Sequence, residues 1–153
     1  MRYGGYDKER AQVIVGKWRA EKETGIAYED IDDAFLDGKI TVRELRQMYM
    51  TYGGLSQEDA EEQVVRLSFV KKNPTLGDIS YAAVRDYTEH CEQAGVKPKV
   101  FYDAWKYKNS LEGSVKEPML EYINGLNLTP AQKDSLYFAF GWAESTLRKA
   151  PWH

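Results

Sequence analysis

A glycine followed at once by an apolar residue recurs along this chain, at Gly25-Ile26, Gly54-Leu55, Gly95-Val96 and, less regularly, Gly125-Leu126. The pair answers the needs of a helix C-terminus: glycine takes the left-handed conformation that stops the helix, and the apolar residue after it folds back on the last turn. Two further glycines stand just ahead of new helical runs, Gly38 before Val42 to Tyr52 and Gly77 before Tyr81 to Gln93. Gly38 and Gly77 lie 39 residues apart, and Gly54 and Gly95 lie 41 apart. A period of roughly 40 residues built from paired helices is the mark of a helical repeat. The expected fold is therefore all-α: an array of about four helical hairpins with about 7 to 8 helices, in which each pair covers the apolar face of the next. The pseudo-repeats fall at approximately 7–37, 38–75, 77–110 and 115–153 of a single domain spanning 1–153.

Helix starts fit the same scheme. Asp7, Ser56 and Thr129 are good N-caps, and Pro98 and Pro130 suit first helical turns, where the missing N–H costs nothing. Apolar residues at helical spacing predict the inward faces. They are Ala11, Ile14, Val15 and Trp18; then Ile31, Ala34 and Phe35; Val42, Leu45, Met48, Tyr49 and Tyr52; and Ala60, Val64, Leu67 and Phe69. In the second half they are Val84, Tyr87 and Cys91 facing Val100, Phe101, Ala104 and Trp105; Met119, Leu120 and Ile123; and Leu136, Ala139, Phe140, Ala143 and Leu147. The last helix is expected to stop only before Pro151, since a residue preceding proline avoids the helical region.

At 153 residues with 42% hydrophobic and 29% charged side chains, the chain can bury a core and should fold. It has neither an apolar run of membrane-spanning length nor a signal-peptide core at its start, so a soluble intracellular protein with no membrane partner is expected. A single cysteine, Cys91, excludes an intrachain disulfide and any multi-cysteine metal site, and reads as a small buried apolar residue. The formal charge of −3 is unevenly spread. From Ala27 to Glu62 ten acids meet three bases, a net of −7, while from Lys97 to Lys116 five lysines meet two acids, a net of +3. An acidic end and a more basic end can orient a charged partner.

Four windows invite a chemical reading. Asp33 to Glu44 has the oxygen, glycine and apolar positions of a calcium loop at Asp33, Asp37, Gly38, Ile40 and Glu44, but Phe35 takes the place of a ligand and no second loop pairs with it. Neither a metal nor a cofactor is expected. Ile40 to Arg66 has the outline of a helix-turn-helix, yet the second helix opens with Glu58, Asp59, Glu61 and Glu62, which DNA phosphates would repel. Phe101 to Lys108 interleaves aromatics with cations, the pattern of a nucleic-acid platform, with Lys97, Lys99, Lys106 and Lys108 as the contacts; helical spacing favours a packed aromatic face with a basic edge. His90 and Cys91 are adjacent and point apart on a helix, so they make no zinc site. No nucleophile-and-base pair or phosphate-binding glycine loop is present, and no catalytic residue is assigned.

The third unit, with His90-Cys91-Glu92-Gln93-Ala94-Gly95-Val96 and Val100-Phe101-Tyr102-Asp103-Ala104-Trp105, resembles helical modules near the ends of large proteins encoded by phages and prophages of Gram-positive bacteria. So does the end of the chain, from Tyr122-Ile123-Asn124-Gly125-Leu126-Asn127-Leu128-Thr129-Pro130 through Ala150-Pro151-Trp152-His153. The likeness covers roughly the last half and, more weakly, Gly38 to Leu67. It implies a phage-encoded protein without a transferable catalytic motif. A short chain with its own initiating methionine is expected to be a freestanding module put to a separate use.

The expected function is a non-enzymatic interaction protein that binds and blocks a macromolecular partner, such as a bacterial defence nuclease in the manner of an anti-CRISPR protein. It would work in the host cytoplasm. The expected contact is the acidic face Asp30, Asp32, Asp33, Glu58, Asp59, Glu61 and Glu62, because charge of one sign steers a basic partner. Reversing Asp32, Asp33, Glu61 and Glu62 to lysine is expected to leave folding intact. The alternatives are a virion or packaging scaffold, with other phage proteins as partners and a place in the virion, and a nucleic-acid-binding protein using the four lysines.

Overall fold

The computed structural model describes the backbone of residues 8–143 and 147–153 and the side chains from Ile14 onward, apart from 144–146. Every regular element among them is helical. The chain divides at Pro74 and Thr75 into two compact units.

The first unit contains α1 (Lys8–Thr24), a short 3-10 turn (Tyr28–Asp30), α2 (Ile31–Leu36), α3 (Val42–Thr51) and α4 (Gln57–Lys72). Glycines end the segments as expected: Gly25, Gly38 and Gly54 have φ of 79°, 79° and 70°. Thr41 opens α3 with a reciprocal capping box. Its hydroxyl accepts the Glu44 N–H at 3.1 Å and the Glu44 carboxylate accepts the Thr41 N–H at 3.0 Å. Ser56 caps α4 by accepting the Asp59 N–H at 3.1 Å. Between them α3 and α4 form a hairpin whose buried faces, Leu45, Met48 and Tyr49 against Ala60, Val64 and Leu67, join Ile31, Ala34 and Phe35 of α2 in one core. Each fully buried Leu or Ile there contributes about 1.5–3 kcal/mol of transfer free energy.

The first helix departs from its expected face. Trp18 is 73% exposed and Val15 49% exposed, while Gly16 and Ala20 are buried. The reason is close approach. A β-carbon on Gly16 would lie 2.8 Å from the Tyr52 carbonyl oxygen, so α1 packs through its small residues at i and i+4. Trp18, two positions from each, is turned to the opposite side. Tyr52 holds this contact by donating its hydroxyl to Glu23 at 2.6 Å. Val42 is also exposed, because it occupies the first position of α3, ahead of the turn that reaches the core. The Asp7 cap and the inward placement of Ala11 lie outside the described residues.

The second unit contains a 3-10 turn that begins at its border (Pro74–Leu76), α5 (Tyr81–His90), α6 (Pro98–Ser110), α7 (Lys116–Asn124) and α8 (Pro130–Ala139). Sequential helices pack side by side, and α5 packs on α8, which closes the four into a ring. Two bonds tie α8 to the end of α5 and its turn: Gln132 of α8 donates its side-chain amide to the Ala94 carbonyl at 3.2 Å, and the Cys91 thiol points to the Ser135 carbonyl at 3.6 Å. Tyr87 holds that turn back on α5 by donating its hydroxyl to the Val96 carbonyl at 2.6 Å. Gln132 also completes a capping box with Thr129.

The final helix is shorter than expected. It ends at Ala139, because Gly141 takes φ of 92° and breaks it. Leu147 and Ala150 are still buried, but they reach the core from a turned segment after the helix.

Candidate functional site

The acidic residues lie in the first unit, at the starts of two helices. Asp30 precedes α2, Asp32 and Asp33 stand in its first turn, and Glu58, Asp59, Glu61 and Glu62 occupy the beginning of α4. The helix dipole favours the acids of the first turns, Asp32 and Asp33 in α2 and Glu58 and Asp59 in α4. Their surroundings differ. Asp32 accepts a hydrogen bond from the Tyr49 hydroxyl, and Glu61 is paired with Arg46 at 2.6 Å, so both tie their helices to α3. Burial, and after it the Asp32 carboxylate, push the Tyr49 hydroxyl pKa far above the ordinary phenol value. Glu62 is half-buried, whereas the other six are exposed; of those, Asp30, Asp33, Glu58 and Asp59 do not carry these two links to α3. Reversing Asp32 and Glu61 would remove these two links to α3 as well as change the charge.

The lysines lie in the second unit, and most are engaged. Lys99 holds Asp103 at 2.5 Å along α6. Lys106 holds Asp78 at 2.7 Å, and Tyr102 donates to the other oxygen of the same carboxylate at 2.5 Å. The Lys106 ammonium and then the Tyr102 hydroxyl keep the Asp78 carboxyl below the usual carboxylate range. Lys108 lies over the rings of Phe140 and Trp142, at 5.4 and 5.8 Å from their centroids. Lys97 stands exposed at the start of α6. The aromatic face expected from Phe101 to Trp105 is buried at Phe101, which stacks on Phe140 at 5.4 Å, and half-buried at Trp105.

The remaining windows resolve into structure. Glu44, the twelfth position of the calcium-like loop, spends its carboxylate on the Thr41 capping box. Cys91 is fully buried, and that burial pushes its thiol pKa up to about 12. His90 is exposed and stacks on Phe138, with ring centroids 5.9 Å apart.

Two features escaped the sequence reading. One is exposed Trp18; the signal was the small pair Gly16 and Ala20 at i, i+4, which competed with the larger stripe for the inward face. The other is a cleft of about 400 Å³ in the second unit, lined by residues including Glu89, His90, Asp134, Phe138, Arg148 and His153. No periodicity could announce it, because its walls come from α5, α8 and the turned segment behind α8. Trp142 and Trp152 are both half-buried against Tyr137, stacked at 4.1 Å and edge-on at 5.9 Å respectively.

Among the described residues no group of three or more His, Cys, Asp or Glu side chains is arranged to hold a metal ion, and no helix is long and apolar enough to cross a membrane. No protein-family model matches the chain, and comparisons with curated proteins and with solved structures find no match.

Proposed function

We propose that this is a phage-encoded binding protein that acts by occupying a macromolecular partner rather than by catalysis, and that the contact surface is the acidic side of the first unit. The observation that carries the reading is a contrast between the two charged regions. Asp30, Asp33, Glu58 and Asp59 are exposed, whereas Lys99, Lys106 and Lys108 are engaged by Asp103, Asp78 and two aromatic rings. Exposed carboxylates attract a basic surface, and a nuclease whose groove is built to hold phosphates is a partner of that kind. Trp18, on the same unit, offers the large apolar surface from which interface anchors are made. The likeness of residues 81–109 and 122–153 to phage modules supports the origin and, with it, a host defence nuclease as the target and the host cytoplasm as the place of action.

The test is capture from a nuclease-treated lysate of a phage-susceptible host, with the bound proteins identified by mass and the captured nuclease then assayed with and without the protein. Inhibition of one dominant nuclease supports the reading. Recovery of only further copies of the chain or of other phage proteins points to the scaffold alternative.

A further inference from the structure

The second unit holds another cleft, of about 290 Å³, lined by α5, α6 and the end of α8. Its two longer walls differ in chemistry. On α6, Trp105, Lys108 and Asn109 stand at i, i+3 and i+4 and so share one face. That face presents donors: an indole N–H, an ammonium and an amide. Trp105 and Lys108 are half-buried, and among the described residues the Lys108 ammonium meets the Phe140 and Trp142 rings and no carboxylate. On α5, Ala82, Asp86 and His90 recur every fourth residue. Asp86 is the one acid of the lining and is half-buried; Arg85 lies 3.8 Å from it, beyond hydrogen-bond reach, so its carboxylate keeps its capacity to accept. The apolar lining is Phe101, Ala83 and Ala139, all buried, joined by Phe138, which is 40% exposed with His90 stacked on it.

We propose that this cleft binds a free amino acid with an aromatic side chain. The ligand's carboxylate takes the donors of α6, its ammonium takes Asp86 on α5, and its ring lies on the apolar lining beside Phe138. The pairing of charges selects the ligand class. One cation and one anion on neighbouring helices satisfy a zwitterion, whereas a simple anion is repelled by Asp86 and a simple cation by Lys108. The ring faces of Phe101 and Phe138 favour an aromatic side chain over a polar one. Size limits the rest: ligand sites run from about 300 to 1,000 Å³, so this cleft stands at the small end and holds one amino acid rather than a peptide. The site belongs to the second unit and does not depend on the acidic surface of the first.

The test titrates L-phenylalanine into the full chain and follows the Trp105 indole proton by NMR, assigned with Trp105→Phe. A saturable shift is expected, with a dissociation constant of about 1 mM or tighter, the affinity within reach of so small a ligand. L-phenylalaninamide lacks the carboxylate, N-acetyl-L-phenylalanine lacks the ammonium, and glycine lacks the ring; each should bind at least about tenfold more weakly. Lys108→Met should bring L-phenylalanine down to the affinity of its amide, and Asp86→Asn to that of its N-acetyl form. The four compounds are compared on the wild-type chain, so the test stands even if a variant fails to fold. No saturable shift with L-phenylalanine up to about 20 mM would overturn the proposal. Equal affinity for the four compounds would overturn it too, as would a folded Lys108→Met protein that binds L-phenylalanine as tightly as wild type.

Discussion

Gly53 sits where α3 ends, and its hydrogen faces two groups at once. A β-carbon built there would lie 2.0 Å from the Tyr28 hydroxyl oxygen, 2.7 Å from the ring carbon that bears it, and 2.7 Å from the Tyr49 carbonyl oxygen. The Tyr28 ring can swing aside, but only by giving up its packing against the core of the first unit. The Tyr49 carbonyl is fixed, because it accepts the Leu55 N–H at 3.1 Å in the turn between α3 and α4. Overpacking a filled site costs roughly 1–3 kcal/mol, and two simultaneous contacts put Gly53→Ala near the top, at about 3 kcal/mol. The two contributions separate in a double-mutant cycle. With Tyr28→Ala already in place, only the Tyr49 contact remains, and the cost of Gly53→Ala should drop to about 1 kcal/mol. Urea unfolding followed by far-ultraviolet circular dichroism measures each step. Gly25→Ala serves as the contrast, because its φ is 79° and the space around it is open. It should cost about 1–2 kcal/mol from the left-handed backbone alone and should not depend on Tyr28. Gly53→Ala within about 0.5 kcal/mol of wild type, a change typical of neutral surface positions, would refute the packing argument. So would a cost that is unchanged when Tyr28 is removed.

Three further outcomes follow from the same structure. Trp18→Ala should leave the urea midpoint unchanged and weaken partner binding at least about tenfold, the size expected of an exposed aromatic anchor; equal affinity by calorimetry would remove Trp18 from the interface. Cys91 in the native protein should resist alkylation by iodoacetamide up to about pH 9 and react fully in urea. Its folded pKa of about 12 lies above the unfolded value, so the associated stability is complete below the unfolded pKa and drains away as pH rises towards 12; urea midpoints should fall across that window and less so for Cys91→Ala. Asp78→Asn combined with Asp103→Asn should free Lys106 and Lys99 and increase salt-sensitive retention on heparin or single-stranded DNA. Unchanged retention would mean that these lysines are not held back by their carboxylates.

The helical character and most helix ends were legible because they depend on local chemistry. Gly25, Gly38, Gly54 and Gly95 all adopt the positive φ that their glycine-stop positions required, whereas Gly125, the less regular one, closes α7 at φ of −77°; Ser56 and Thr129 cap as their side chains permit. What failed were inferences that turned on one particular neighbour. The inward face of α1 was assigned to its largest residues, but the neighbouring Tyr52 carbonyl comes so close that only glycine fits at position 16. The final helix was extended to Pro151 because its apolar spacing continues, whereas Gly141 breaks it and a turned segment brings Leu147 back to the core. The candidate acidic surface was visible as composition, yet the hydrogen bond that sets exposed Asp32 apart from exposed Asp33 comes from Tyr49, 17 residues away in the chain. The same holds for Lys106, whose counter-charge, Asp78, is 28 residues distant.

The central claim is that exposed carboxylates of the first unit recognise a basic partner. The most direct measurement compares capture of host proteins by the wild-type chain and by Asp30→Asn/Asp33→Asn/Glu58→Gln/Asp59→Asn, at matched folding by circular dichroism. These four leave the Asp32–Tyr49 and Glu61–Arg46 bonds in place. The account predicts that a nuclease retained by wild type is lost from the neutralised variant and that its inhibition is lost in parallel. Equal capture and equal inhibition by both proteins would contradict it.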